Sequence, residues 1–168
     1  FHRIHDALTR DYPRMAGIPK SGFAAGPCLF KDTMQLATAT GNSFSLGHAA
    51  MLINEGLPNF VVDRLKGEYD LSKMTVGILG MAFKAGSDDS RESLSYKLRK
   101  ILEYEARRVV CTDEYVSDES FLPVGEVLAL SDLLILATPH PEYRDLDYPK
   151  DKPVIDIWNF LGRGSRLV

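Results

Sequence analysis

Cys28 stands in the stretch AAGPCLFKD (24–32), behind Pro27 and ahead of Lys31 and Asp32. Proline is favoured at the first helical position, because its missing N–H would be unpaired there anyway. The spacing therefore predicts Cys28 in the first turn of a helix, where free backbone N–H groups and the macrodipole favour negative charge. A thiolate is stabilised in such a place, and Lys31 adds to the effect. Asp32, four residues on, falls on the same helical face. It can aim or deprotonate a water directed at a group bonded to the sulfur, although its own charge opposes thiolate formation. The plainer alternative is a small buried hydrophobe at 28, with Asp32 merely complementing the helix start. Cys111 lies within an apolar strand pattern and reads as core.

The second stretch that can carry chemistry is GILGMAFKAGSDDSRES (77–93). A glycine-bearing turn after a strand sits at the carboxyl end of a sheet, where α/β domains bind ligands. Gly77 and Gly80 do not complete a GxGxxG fingerprint, which gives little support to a dinucleotide site at this turn. Lys84 and Arg91 can meet phosphates near the next helix start. Alternatively, Asp88, Asp89 and Ser90 simply cap that helix.

These residues need a scaffold, and the hydrophobic pattern supplies one. Ile4, Ala7 and Leu8 recur at helical spacing within residues 1–10, and Pro13 stops them. Residues 12–27 hold three prolines and three glycines and must be a loop. A helix runs from Pro27 to about Thr40, GNS (41–43) breaks it, and Ser45 caps a longer helix reaching Leu65, with a kink expected at Pro58. From 74 onward strands and helices alternate: strands at 74–83, 108–113, 132–140 and 152–158, helices at 91–106 and 124–130. The fold class is α/β, with a central helical segment (1–72) followed by a small parallel-sheet, Rossmann-like domain (73–168).

Composition sets further bounds. The 168 residues carry 20 basic and 23 acidic side chains, a formal charge of −3, with 45% hydrophobic residues. That balance argues against a nucleic-acid binder; Arg99-Lys100 and Arg107-Arg108 read as solvated helix ends. Two cysteines without a CxxC indicate neither a metal site nor a disulfide framework, and reduced thiols fit the cytoplasm. No apolar run approaches the roughly 18 residues that cross a bilayer.

Both chemical stretches resemble the UDP-glucose/GDP-mannose dehydrogenase family. GFAAGPCLFKD (22–32) is similar to that family's glycine-rich loop, catalytic cysteine and following lysine-aspartate. GILGMAFKAGSDDSRES is similar to its LGxAFKxxTDDxRES signature. They occur in family order, and the likeness covers the later part of a family chain. The resemblance implies that an N-terminal NAD-binding domain is absent from these residues. It also implies two successive oxidations of a nucleotide sugar's primary alcohol to a carboxylate, with NAD as cofactor, for polysaccharide precursors. Cys28 would attack the intermediate aldehyde and pass through a thiohemiacetal and a thioester, with Asp32 assisting water. Lys31 and Arg91 match cofactor-side residues, and Phe83 and Lys84 match the nucleotide-sugar pocket. Lys20, Ser21, Gly22 and Phe23 would give backbone contacts to the substrate. A homodimer through the central helices is implied, and Arg14 matches an arginine that crosses to the partner. Two positions depart from the pattern. Ala25-Gly26 replaces a glycine pair, and Trp158 stands where an arginine is usual, either stacking on a base or sugar or joining the core.

Two rival readings use other residues. A phosphoacceptor signalling module would draw on Asp88, Asp89, Asp113, Thr138 and Lys152, and a thiol hydrolase would pair Cys28 with His48 or His140.

Overall fold

The computed structural model describes residues 2–41 and 43–162. Three helices open the chain: α1 (His2–Thr9), α2 (Leu29–Ala39) and the long α3 (Ser45–Glu68). Alternation follows: β1 (Thr75–Leu79), α4 (Leu94–Glu105), β2 (Arg108–Thr112), α5 (Val124–Leu130), β3 (Leu133–Leu136) and β4 (Val154–Asp156). The strands form one parallel sheet in the order β2-β1-β3-β4. β1 and β3 lie at its centre, and every residue of TVGIL and LLIL is buried, as a sheet covered on both faces requires. Among the described residues, no helix is long and apolar enough to cross a membrane.

The two covering layers follow from connectivity. The β1–α4–β2 unit moves one way along the sheet, and α5 carries the chain back past β1 to β3. With right-handed crossovers, α4 and α5 must lie on opposite faces. On the first face, α4 buries Leu94, Leu98 and Leu102 at four-residue spacing against Val61, Val62 and Leu65 of α3 and Ile78 of the sheet. Each such leucine contributes about 2 kcal/mol relative to exposure. On the other face, Val127 of α5 meets Leu134, Leu136 and Tyr143. Lys66–Glu105 (2.8 Å) and Lys97–Glu55 ion pairs bridge α3 and α4 at the rim. α3 is thereby joined to the sheet domain by one continuous core.

Some helix starts differ from the sequence expectation. Phe44, not Ser45, occupies the N-cap of α3, and no side chain caps it. The helix continues through Pro58. α4 begins three residues later than the Asp88–Ser90 cluster would place it, because Ser93 is the cap and its Oγ accepts from the Ser95 N–H. Asp89 is otherwise engaged: its carbonyl accepts from the Phe83 N–H (3.0 Å), and its carboxylate holds Arg91. Residues 83–91 thus close on themselves before the helix can start.

The reversal of strand order between β1 and β3 opens the crevice where such sheets take ligands, outside the carboxyl ends of the strands. Gly80 lines its floor with φ +91°, and an added Cβ would lie 2.5 Å from Thr138 Cβ and 2.6 Å from the Thr138 carbonyl oxygen. Gly80→Ala is expected to lose about 3 kcal/mol through overpacking and an unfavourable φ. Urea unfolding measures it, and an unchanged midpoint would show that the backbone there can shift freely.

Candidate functional site

The stretch 20–28 crosses the carboxyl side of the sheet domain as an extended loop and then turns into α2. Phe23 drives its ring into the main core, with Ala25 packed beside it. Gly22 and Gly26 lie under aromatic rings. A Cβ at Gly22 would stand 2.1 Å from the Trp158 indole, and one at Gly26 would stand 3.2 Å from the Phe83 ring. Both glycines have positive φ, 149° and 128°, which disfavours a side chain at either position; at Gly22 the space is taken as well, and at Gly26 the contact is merely tight. Trp158 follows β4, is half-buried, and donates its indole N–H to the Ala137 carbonyl (2.8 Å). It packs against the main core and covers the loop at Gly22.

Cys28 is exposed. It occupies the N-cap of α2 rather than the first turn, and Pro27 lies in the turn ahead of it instead of at the first helical position. The difference of one residue arises because the Cys28 carbonyl already accepts the first helical bond, from the Asp32 N–H (2.9 Å). The consequence for chemistry is small, since the cap still faces the free amides of the helix start. A cleft of about 560 Å³ is lined by Ala25 to Leu29, Asp32, Thr33 and Phe83. It brings together the thiol, the carboxylate four residues on and the ring from the β1 loop.

Charges are arranged around this cleft. Lys31 Nζ lies 3.1 Å from Asp32 Oδ1. Its pKa is raised first by that hydrogen bond, then by the carboxylate's charge, and further by Cys28. Arg91 grips Asp89 through Nε and Nη2, at 2.7 Å for the shortest contact. This holds the Asp89 carboxyl at about 2, below the ordinary range. Arg91 is raised in turn by Asp89, with a smaller push from Cys28. Both cations are therefore close enough to feel the thiol, yet remain well exposed. Lys84 places its Nζ 5.3 Å over the Phe83 ring. Lys20 is exposed, and Ser21 Oγ lies 3.5 Å from His2 Nε2.

Two residues beneath the β1 loop were not singled out for this site by the sequence. Asp113 ends β2 and His140 follows β3, and both side chains are 0% exposed. Asp113 Oδ2 accepts from the Met81 N–H (2.5 Å), the Ala82 N–H (2.9 Å) and His140 Nε2 (3.0 Å). Its Oδ1 accepts from Tyr115 and Val116, both at 2.8 Å. Burial pushes the Asp113 carboxyl up, but donation by His140 and the backbone amides outweighs it and holds the group far below the usual carboxylate range. His140 Nδ1 accepts from the Gly86 N–H (3.1 Å), which fixes the neutral tautomer with hydrogen on Nε2. The pair ties both ends of the Met81–Gly86 loop. The signal in the sequence was positional: CTD and TPH each put a polar residue just past a strand, at the same edge of a parallel sheet.

This arrangement assembles neither rival site. His140 is committed to Asp113 and Gly86 and is not free to pair with Cys28, while His48, in the first turn of α3, is not among the residues lining the cleft that holds Cys28. Lys152 precedes β4, at the opposite edge from Asp113, and donates to the Leu128 and Ala129 carbonyls (2.9 and 2.8 Å) at the end of α5. The acidic cluster with a nearby lysine that a phosphoacceptor needs is not assembled. Among the described residues, no group of three or more His, Cys, Asp or Glu side chains could hold a metal ion.

Fold and site together define a doubly wound, Rossmann-like α/β domain with a thiol-bearing helical segment docked on its ligand edge. Residues 77–163 match the UDP-glucose/GDP-mannose dehydrogenase family, UDP binding domain, and the chain belongs to that family. It is 27% identical to the UDP-N-acetyl-D-mannosamine dehydrogenase of Pyrococcus horikoshii, over 94% of this chain and 43% of that protein. It is 33% identical to the UDP-glucose 6-dehydrogenase AglM of Haloferax volcanii, over 73% of this chain and 31% of that one. The solved structure of the UDP-D-ManNAc dehydrogenase from Pyrococcus horikoshii superposes with a TM-score of 0.82 at 26% identity, over 98% of this chain and 42% of that one. The chain thus spans less than half the length of these relatives.

Proposed function

We propose that this chain is the thiol-bearing and sugar-nucleotide-binding portion of a dehydrogenase that oxidises the C6 alcohol of a UDP-hexose to a carboxylate. The observation that carries the reading is the cleft in which exposed Cys28 and Asp32 face Phe83 of the UDP-binding domain. A thiol that only stabilised the fold would be buried, as Cys111 is; burial holds that thiol at about 12.

Each residue has a task in this scheme. Phe83 and Lys84 hold the nucleotide half, the lysine as a point charge on the diphosphate, and the backbone of Lys20 to Phe23 lies against the sugar. The Cys28 thiolate adds to the carbonyl carbon of the C6 aldehyde, forming a thiohemiacetal. Loss of hydride and a proton from that adduct leaves a thioester on sulfur. Water, aimed by Asp32, adds to the acyl carbon, the C–S bond breaks, and the carboxylate leaves with the thiolate regenerated. NAD, when bound, accepts the hydride in each oxidation. The exposed cations Lys31 and Arg91 beside the thiol have the chemistry to meet its phosphates. The exposed apolar faces of α2 and α3, with Leu46 83% and Ile53 70% exposed, support pairing of two copies through these helices, with Arg14 reaching across.

Trp158, the chain's one tryptophan, covers the loop that would meet the sugar, so its fluorescence is a built-in reporter. Titration with UDP and UDP-hexoses should change that emission with saturation, whereas GDP should not. Lys84→Ala should weaken binding by about tenfold or more, the value of a hydrogen bond to a charged group. Emission insensitive to every UDP compound would overturn the assignment of the nucleotide half.

A further inference from the structure

The cysteine loop is gripped at every second residue. Trp158 covers Gly22, Phe83 covers Gly26, and between them Ala24 is held by Asn54 of α3. The Asn54 side-chain NH₂ donates to the Ala24 carbonyl (2.6 Å), and its Oδ1 accepts from the Ala24 N–H (3.2 Å). One carboxamide thus closes the same two-bond ring with a single residue that a neighbouring strand would make. The two aromatic covers belong to the sheet domain. Asn54 belongs to α3, the helix running alongside α2, whose N-cap is Cys28.

The geometry points to Asn54 as a positioning residue that sets where Cys28 stands relative to the cleft. A planar ring contact resists approach along its normal but lets a chain slide beneath it. Two directional hydrogen bonds to one residue, on the peptide groups either side of its Cα, fix both its height and its twist. Ala24 is four residues from Cys28, and only Ala25, Gly26 and Pro27 intervene. Gly26, at φ 128°, is the residue of that link with the widest backbone freedom, and the Phe83 ring covers it on one side only. With Ala24 pinned, Gly26 and Pro27 leave the thiol one seat; with Ala24 released, rotation about Gly26 moves the sulfur. These bonds are solvent-exposed, so water can replace Asn54 on the Ala24 groups at little cost to the fold. The side chain therefore matters more for placement than for stability. Catalytic relevance rests on the reading of Cys28 as the nucleophile; placement of the loop does not.

The chain offers a direct probe, because Cys28 is exposed and Cys111 is buried, so a thiol-specific spin label marks position 28 alone. In the unaltered chain the label should give an immobilised spectrum, and the Ala24 amide should exchange slowly with solvent. Asn54→Ala should add a mobile component and speed Ala24 exchange by about tenfold or more, with Tm lowered by about 3 °C or less. Asn54→Asp keeps an acceptor for the Ala24 N–H and loses the donor. It should leave exchange slow while still loosening the label. Spectra and exchange unchanged in both variants would overturn the proposal. In a chain that also carries the dinucleotide-binding domain, Asn54→Ala should lower kcat by about tenfold to a hundredfold with KM for the UDP-hexose nearly constant, the pattern of a displaced reacting group. A loosened label in a protein whose acid formation survives loss of Cys28 would uphold the positioning role and refute the nucleophile instead.

Discussion

Cys28→Ser, in a chain that includes the dinucleotide-binding domain, is expected to stop acid formation, lowering kcat by a factor on the order of 10³ or more, with UDP-hexose binding near wild type. The hydroxyl that replaces the thiol is the same shape but a far weaker acid, so almost none is ionised near neutrality. A sulfur adduct releases its acyl group to water more readily than an oxygen adduct. The thiol enters only after the aldehyde exists, so the first oxidation needs no group at 28 and aldehyde should accumulate. Asp32→Asn completes the test from the other side. Without a carboxylate to aim water, the acyl group should persist on sulfur and appear as added mass on the peptide holding Cys28. Acid formed by Cys28→Ser at the wild-type rate would eliminate the covalent route.

Which of these features were legible in the sequence depended on the distance over which each is decided. The α4 repeat at Leu94, Leu98 and Leu102, the continuous apolar strands and the break at 41–43 are local patterns, and each helix and strand of the sheet domain lies within the span its pattern marked, all but α5 being shorter than it. The meeting of Cys28 with Asp32 is one helical turn, equally local. Phe83 joining them was implied only by family likeness, because 55 residues separate it from Cys28 and nothing in spacing closes that gap. The Asn54 grip on Ala24 and the Trp158 cover on Gly22 are of the same kind: a helix and a strand end, distant in sequence, bring them to the loop. Terminal details failed for another reason. Asp88, Asp89 and Ser90 have ideal cap chemistry, but Asp89 spends its carboxylate on Arg91 and its carbonyl on Phe83, leaving Ser93 to begin the helix.

The largest stability effect should come from Asp113→Asn, with an expected loss of about 3–5 kcal/mol at pH 7, the cost of breaking a buried pair from one side. The carboxylate accepts three hydrogen bonds on one oxygen and two on the other. An asparagine has a single carbonyl oxygen, so its NH₂ must face either His140 and the Met81 and Ala82 amides or the Tyr115 and Val116 amides, donor against donor. The loop carrying Phe83 and Lys84 loses its anchor, and weaker UDP binding should accompany the lost stability. Acid supplies an independent check. Burial alone would raise this carboxyl, but the hydrogen bonds from His140 and the backbone hold it far below its ordinary value. A group with a lowered folded-state pKa stabilises fully above its unfolded value, about 4 for aspartate. That contribution is lost as pH falls toward the folded value, where the unfolded chain binds the proton first. The gap between wild type and Asp113→Asn, measured by urea unfolding from pH 7 downward, should therefore stay constant to about pH 5 and then narrow steadily. A variant within about 0.5 kcal/mol of wild type at neutral pH, or a gap that does not narrow in acid, would mean that the charge at 113 does not hold the loop.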